Sequence, residues 1–342
     1  MTIEQIKDKL KSKEYDFLRT DKNLGNNIII LTLGGSHAYG TNNEGSDLDI
    51  RGCALNSKMQ ILTNENFEQF VNNETDTTIY AFNKLVALLS NTNPNTIEML
   101  GNKPEHYFYV SPIGQELIDN AHLFLSKRAC HSFGGYANQQ LYRLNQKAAH
   151  QMSQSELEKH ILKTLEFMQT DFTKKYTPYS DDSMKLYIDK AVQEGYDTEI
   201  FMDVNLTHYP LRDYCSMWNE LQNTVRQYGK IGKRNEKAIE HGKIAKHSMH
   251  LIRLYMMCLD ILEKERIITY REDEHDLLMD IRNGKYLDSN DQPIPEFFEM
   301  VNDYEKRLDY AKKNTSLPDN PNYKAINEFV ASVNERVVKG EI

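Results

Sequence analysis

The sequence predicts an α/β (α+β) chain, with strands and helices interleaved in the first third and helices dominating the rest. Three observations predict it. Asn27 to Leu33 is apolar and rich in β-branched residues, as a buried strand is, and residues 47–55 read as a second strand. ETDTTIYAF, residues 74–82, has strand composition as well. Farther on, apolar residues recur at helical spacing, as in Leu157, Ile161, Leu165, Met168 and Phe172. Pro104, Pro112 and Gly114 mark a loop between the two regimes, and a boundary there divides the chain into residues 1–112 and 113–342.

The elements follow in order. Residues 2–20 read as a helix packed beside the first strand. Gly34-Gly35 ends that strand, because two residues without Cβ let the backbone turn sharply and approach a ligand closely. Residues 57–73 are polar and Asn-rich, giving a short helix and loop. Residues 83–91 are an amphipathic helix through Leu85, Val86, Leu88 and Leu89, and Pro94 starts another, with Asn93 and Asn95 suited to capping it. Helices follow over GQELIDNAHLFLS and, broken near Gly134-Gly135, over CHSFGGYANQQLYRLNQKA, and residues 155–174 form a third. Residues 177–183 turn, and 184–194 are expected to continue helical. A long helix starts near Gly242 with an apolar stripe of Ile244, Leu251, Ile252, Tyr255, Leu259 and Leu262. Residues 317–333 give a loop and a terminal helix.

Composition narrows the function classes. Hydrophobic residues make up 39 % of 342, mean hydropathy is −0.66, and no apolar run approaches the ~18 residues of a membrane span. The charged start, MTIEQIKDKLKSKEYDFL, lacks the apolar core of a signal peptide, so a cytoplasmic, non-membrane protein is expected. Cys53, Cys130, Cys215 and Cys258 lie far apart in sequence, without metal-site or redox spacing, and are expected to be reduced thiols. The net charge of −9 argues against wholesale coating of nucleic acid, yet Arg226 to Arg253 carries eight Lys or Arg against two Glu.

The chemistry concentrates in LTLGGSHAYGTNNEGSDLDIRG, Leu31 to Gly52. Ser36, at what reads as the first turn of a helix, can hold phosphate oxygens with its hydroxyl and neighbouring backbone N–H groups. On a strand, alternate side chains share a face, so Asp47 and Asp49 point one way while Leu48 and Ile50 point into a core. Two carboxylates about 7 Å apart on one strand face can share hard cations such as Mg²⁺. Asp76 interrupts the third strand and reads either as an exposed edge-strand acid or as a third carboxylate, since an acid in a central strand is costly unless paired or bound to metal. Lys246, His250 and Arg253, at i, i+4 and i+7 of the long helix, share one face away from its apolar stripe.

Gly35-Ser36, ten intervening residues and Asp47-x-Asp49 resemble the signature of the DNA polymerase β-type nucleotidyltransferase superfamily. More narrowly, GSHAYGT…SDLDIRG, KHSMHLIRL at 246–254, the Asn93-Pro94…Glu98 element and YREDEHDLLMDIRNGKY at 270–286 resemble the RNA repair pathway polymerase-β-like family. The resemblance implies a mixed-sheet nucleotidyltransferase domain followed by a mainly helical substrate- and nucleotide-binding domain. It implies transfer of NMP from an NTP, ATP first among them, to a hydroxyl. Asp47, Asp49 and Asp76 would be the catalytic and metal residues, holding two Mg²⁺ that Mn²⁺ can replace. Gly35 and Ser36 would hold the β/γ-phosphates, and Lys246, His250 and Arg253 would bind nucleotide, although His250 reads equally as a structural histidine. Arg271 and Arg282 are candidates for phosphate or acceptor contacts or for ordinary salt bridges, and Tyr142 and Arg143 for substrate contacts or helix surface. An RNA or tRNA end is the expected acceptor. Protein nucleotidylylation, transfer to a small molecule such as an antibiotic, and a non-catalytic nucleotide or RNA binder are the alternatives.

Overall fold

A computed structural model describes residues 1–135, 137, 154–192, 198–229, 243–289 and 293–342. Residues 230–242 of the expected basic track from Arg226 to Arg253, and the positions of Tyr142 and Arg143, lie outside these residues. Contacts divide the chain into two compact units. One joins Met1–Gln139, Met249–Tyr286 and Pro295–Ile342; the other joins Gln140–Ser248 and Leu287–Ile294.

The first unit is built on a mixed five-stranded sheet in the order β3-β4-β2-β1-β5. Its strands are β1 (Ile28–Leu33), β2 (Ile50–Ala54), β3 (Gln69–Asn72), β4 (Thr77–Ala81) and β5 (Tyr107–Val110). β1 pairs antiparallel with β2 and β5, β3 pairs antiparallel with β4, and β2 runs parallel to β4 with Ile50 opposite Thr77. All six residues of β1 are buried, as a central strand's near-continuous apolar run requires. Gly52 permits close packing there, since a Cβ would fall 2.6 Å from both the Ile30 carbonyl oxygen and Ile79 Cδ1.

Two apolar cores flank this sheet. One gathers Ile6, Leu10, Tyr15 and Leu18 from the N-terminal segment with Ile28, Leu31, Leu33, Ile50 and Ile79. The other gathers Ile29, Ile30 and Cys53 with Phe82, Leu85 and Leu89, Leu254 and Met257, and Ile326 and Val333. The second core explains why the packing units do not follow the single linear boundary at 112/113. The Pro112–Asp119 helix sits on β1 so closely that a Cβ on Gly114 would lie 2.1 Å from the Ile29 carbonyl oxygen. The Tyr323–Lys339 helix buries Ile326 and Val333 in the same core.

Several elements differ from expectation. The N-terminal helix is broken into Ile3–Leu10, a 3₁₀ turn and Phe17–Thr20, because Ser12 adopts an extended backbone. Residues 69–72 form β3 where a loop was expected. Met184–Lys190 is a strand, β6, rather than a continued helix. Met184, Leu186 and Ile188 alternate with Lys185, Tyr187 and Asp189, and that period of two pairs them with β7 (Thr198–Val204). This hairpin belongs to the second unit, whose core holds Ile161, Leu165, Phe172, Met184, Met217 and Leu221. The long helix is described from Lys243 to Leu259. Its stripe residues Ile244, Leu251, Ile252, Tyr255 and Leu259 are all buried, and so are Leu254, Met256, Met257 and Cys258 on its other sides. Among the described residues no helix is long and apolar enough to cross a membrane.

Candidate active site

Every element of the motif meets at one end of the sheet. β1 ends at Leu33, Gly34 extends the chain, and Gly35 turns it at φ +57° into the short helix Gly35–Tyr39. The turn is packed against the second motif. The Gly34 N–H donates to the Asp49 carbonyl oxygen at 2.9 Å, and a Cβ on Gly35 would lie 1.8 Å from Asp49 Oδ2. Glycine is required there for space and for its left-handed backbone. Ser36 is half-buried, and its carbonyl accepts from Thr41 N–H at 2.9 Å, closing the helix with Gly40 at φ +77°.

Asp47 and Asp49 immediately precede β2 rather than lying within it, but the expected alternation holds. Leu48 and Ile50 are buried, Asp47 is exposed and Asp49 half-buried. Asp76 directly precedes β4, in a left-handed backbone at φ +45°, and its carbonyl oxygen accepts from Ile50 N–H. The parallel pairing of β2 and β4 thus brings Asp76 beside the Asp47–Asp49 segment. Arg51 links the two: Nη2 lies 3.0 Å from Asp49 Oδ1 and 3.5 Å from Asp76 Oδ1, and Nη1 donates to the Asp76 carbonyl oxygen at 2.7 Å. Asp47 and Asp76 also line one cavity of about 430 Å³, with Ser46, Thr75, Tyr15 and Lys9 in its wall.

The donor set suits a hard divalent cation, since all three are carboxylates at an open edge. The Arg51 guanidinium lies where two of them face positive charge. Among the described residues no three His, Cys, Asp or Glu side chains are gathered closely enough to enclose a metal ion.

A second cluster, entirely buried, holds the motif helix from behind. Tyr39 donates its hydroxyl to Glu98 Oε1 and Oε2 at 2.9 and 2.8 Å. Arg253 Nη1 lies 3.4 Å from Glu98 Oε2, its guanidinium sits 3.6 Å over the Tyr39 ring, and its Nη2 meets His250 Nδ1 at 3.1 Å. Burial pushes the Glu98 carboxyl up, while Arg253 and the Tyr39 hydroxyl pull it down. Arg253 is 1 % exposed, so the expectation that it binds nucleotide is corrected here: its charge is committed to Glu98 and Tyr39. Arg271, also 1 % exposed, is likewise structural; it is ion-paired to Asp260 and its backbone N–H donates to the Tyr39 carbonyl oxygen. Asn93 caps the Pro94–Ile97 helix through its side chain, the ordinary role open to it. His250 is half-buried beside Arg253. Lys246 is exposed near the start of the long helix and belongs to the other compact unit.

Two further side chains converge on the loop before Asp47: His37, which the sequence did not single out, and Arg282, a candidate for phosphate or acceptor contacts. His37 is buried near Ser46; burial first, and then the positive N-terminus and Arg282, push its pKa below the usual histidine value. Arg282 ends the His275–Arg282 helix and donates from Nη2 to Ser46 Oγ at 3.0 Å.

Residues 5–332 match the model of the RNA repair pathway DNA polymerase beta family. The chain belongs to this family. That makes it a polymerase-β-type nucleotidyltransferase of an RNA repair pathway, and the mixed sheet with its helical remainder agrees with the expected fold. No curated protein and no solved structure matches the chain. The family's span takes in both compact units, and within it the glycine turn, the two aspartates before β2 and the acid before β4 are the elements gathered at one sheet end.

Proposed function

We propose that the protein transfers NMP from an NTP, ATP first among them, to a hydroxyl on an RNA or tRNA end. The reading is carried by one observation: Asp47 and Asp76 open into a single cavity beside Asp49, and Asp49 is locked against the Gly34-Gly35 turn. A glycine turn that opens a short helix beside an acidic edge is what a metal-bound triphosphate needs.

In the reaction, an acceptor oxygen attacks the α-phosphorus, a new P–O bond forms, the α–β phosphoanhydride bond breaks, and pyrophosphate leaves. Asp47, Asp49 and Asp76 would hold two Mg²⁺, or Mn²⁺ in their place, which when bound stabilise the attacking and leaving oxygens together. Asp76, 54 % exposed at its side chain, is open to an acceptor hydroxyl and would orient it or take its proton. Arg51 keeps Asp49 and Asp76 turned toward each other before a ligand arrives. Gly35 and Ser36 hold the β/γ-phosphates. Glu98, Tyr39 and Arg253 fix the helix that carries Ser36. Lys246 as a further triphosphate cation rests on the KHSMHLIRL resemblance. Nucleotidylylation of a protein hydroxyl is the second reading, favoured by the net charge of −9, which opposes extended RNA binding.

The test is incubation of the full chain with each α-³²P-labelled NTP, Mg²⁺ or Mn²⁺, cellular RNA and a cell lysate. The proposal expects label in RNA, lost in an Asp47→Asn/Asp49→Asn variant. Label in protein alone supports the second reading and overturns the first. Absence of label from every combination overturns both.

A further inference from the structure

The cavity beside Asp47 and Asp76 presents two acids of the site, and its one lysine, Lys9, lies 3.5 Å from Glu14. A triphosphate needs cationic hydrogen-bond donors as well as metal, because its charge is spread over many oxygens. Across Ser46, which itself lines the cavity, stands a cation that is not neutralised. Among the described residues, Arg282 has no carboxylate within ion-pair distance; its one hydrogen bond is Nη2 to Ser46 Oγ. Its Nη1 is buried without a partner, and so is the hydroxyl of Thr41 in the same loop. Arg253 and Arg271 also keep an unmet Nε, but each is ion-paired to a buried carboxylate; Arg282 has no such partner, so an anionic ligand would supply the acceptor its costly unmet donor lacks. In a chain with 50 acidic residues, an arginine held half-buried against a serine hydroxyl instead of a carboxylate is kept available for an anion.

We propose that Arg282 is the triphosphate cation of this site, with its two-pronged fork taking phosphate oxygens of the incoming NTP as the Ser46 hydroxyl gives way. This rests on the nucleotidyltransferase reading and extends it to the residue that grips the leaving group. Ser46 Oγ is already saturated, since it accepts from Asn43 N–H and Arg282 and donates to Asn43 Oδ1. The serine therefore acts as the occupant of the fork in the empty state. Arg282 comes from the IRNG segment, 236 residues away in sequence from Ser46.

The experiment is titration calorimetry of the full chain with sodium tripolyphosphate, with ATP, and with a short single-stranded RNA, in Mg²⁺ and in EDTA, with Tm recorded for each variant. Arg282→Ala and Arg282→Gln are expected to weaken tripolyphosphate and ATP by about tenfold to a hundredfold, as for a lost charge-assisted hydrogen-bonding group. Arg282→Lys, which keeps charge but not the fork, should fall between them and the wild type. Ser46→Ala, which frees the fork without touching its charge, should bind tripolyphosphate at least as tightly as the wild type. Folded variants that bind tripolyphosphate within about twofold of the wild type would overturn the proposal. So would loss of RNA binding alone, which would make Arg282 an acceptor contact, and so would a wild type that binds no tripolyphosphate. If Arg282→Ala unfolds, Arg282→Lys and Ser46→Ala decide. Arg282-dependent binding in a protein that transfers no label would sink the reaction while leaving the anion site; label transfer unaffected in Arg282→Ala would do the reverse.

Discussion

Two groupings of carboxylate with arginine meet the two ends of the Gly35–Tyr39 helix, and they differ in completeness. Glu98, Arg253 and Tyr39 form a sealed set: each polar end of Glu98 has a donor, and neither Arg253 nor Glu98 is more than 5 % exposed. Asp47, Asp49, Asp76 and Arg51 form an open set, with one arginine shared by two carboxylates and the third aspartate facing a cavity. A buried ion pair must be satisfied internally, because nothing else can reach it. An open carboxylate edge with too few cations is unfinished until a ligand arrives. The same residue types therefore build a strut in one place and a binding site in the other.

The largest effect should come from the open set. Asp47→Asn and Asp49→Asn should each lower transfer on the order of a thousandfold or more, with Tm close to wild type, as a label-transfer assay with parallel thermal unfolding would read. A large loss of Tm would place these aspartates with the strut instead. Next comes the sealed set. Glu98→Ala or Arg253→Ala should cost about 3–5 kcal/mol of stability by stranding the partner charge, and the Glu98→Ala/Arg253→Ala pair should cost less than the sum. Urea unfolding of the three proteins measures this; additive costs would mean the pair is not coupled.

Smaller again, Gly35→Ala links the two. Its Cβ must displace Asp49 Oδ2 from 1.8 Å, and the left-handed backbone adds about 1–2 kcal/mol. Transfer should drop about a hundredfold through misplacement of Asp49, seen as lower kcat with a folded protein. Unchanged kcat would show that the turn does not position the acid. The smallest effect tests burial itself. Arg336 binds Glu116 in a two-pronged pair at the surface, and this hydrogen bonding holds the Glu116 carboxyl below its ordinary value of 4.5. A depressed carboxylate adds stability above its unfolded value that is lost as pH falls through the folded one. Arg336→Gln should therefore cost under about 1 kcal/mol at pH 7 and progressively less as pH falls through the lowered Glu116 value, in denaturant titrations at falling pH. A cost like that of Arg253→Ala would show that burial is not what separates the two sets.

Much of the open set was legible because its signals are local. Gly34-Gly35, Ser36 and the Asp47–Ile50 alternation each declare a turn, a helix start and a two-faced extended segment from neighbouring residues alone. Arg253 was misassigned for a related reason. Helical spacing correctly puts it on a face with Lys246 and His250, but spacing does not reveal what covers that face. The basic triplet is split by burial, with Lys246 exposed and Arg253 enclosed by Glu98 and Tyr39. The β6 strand was missed although Met184, Leu186 and Ile188 alternate, since a short apolar run between helices carries little periodic signal.

The sequence by itself determined the family, the mixed character of the fold, the glycine turn and which acids stand beside it, because these depend on residue type and on spacings of a few positions. Tertiary structure alone decided what lies against what across long separations. It set Asp76 beside Asp49 by parallel strand pairing, Arg253 under Tyr39, and Arg282 against Ser46. It also packed Cys130 against the core that holds Cys258, a neighbourhood that their distance in sequence concealed. Such contacts are settled by the cores that fold the chain over the sheet, and no local pattern carries that information.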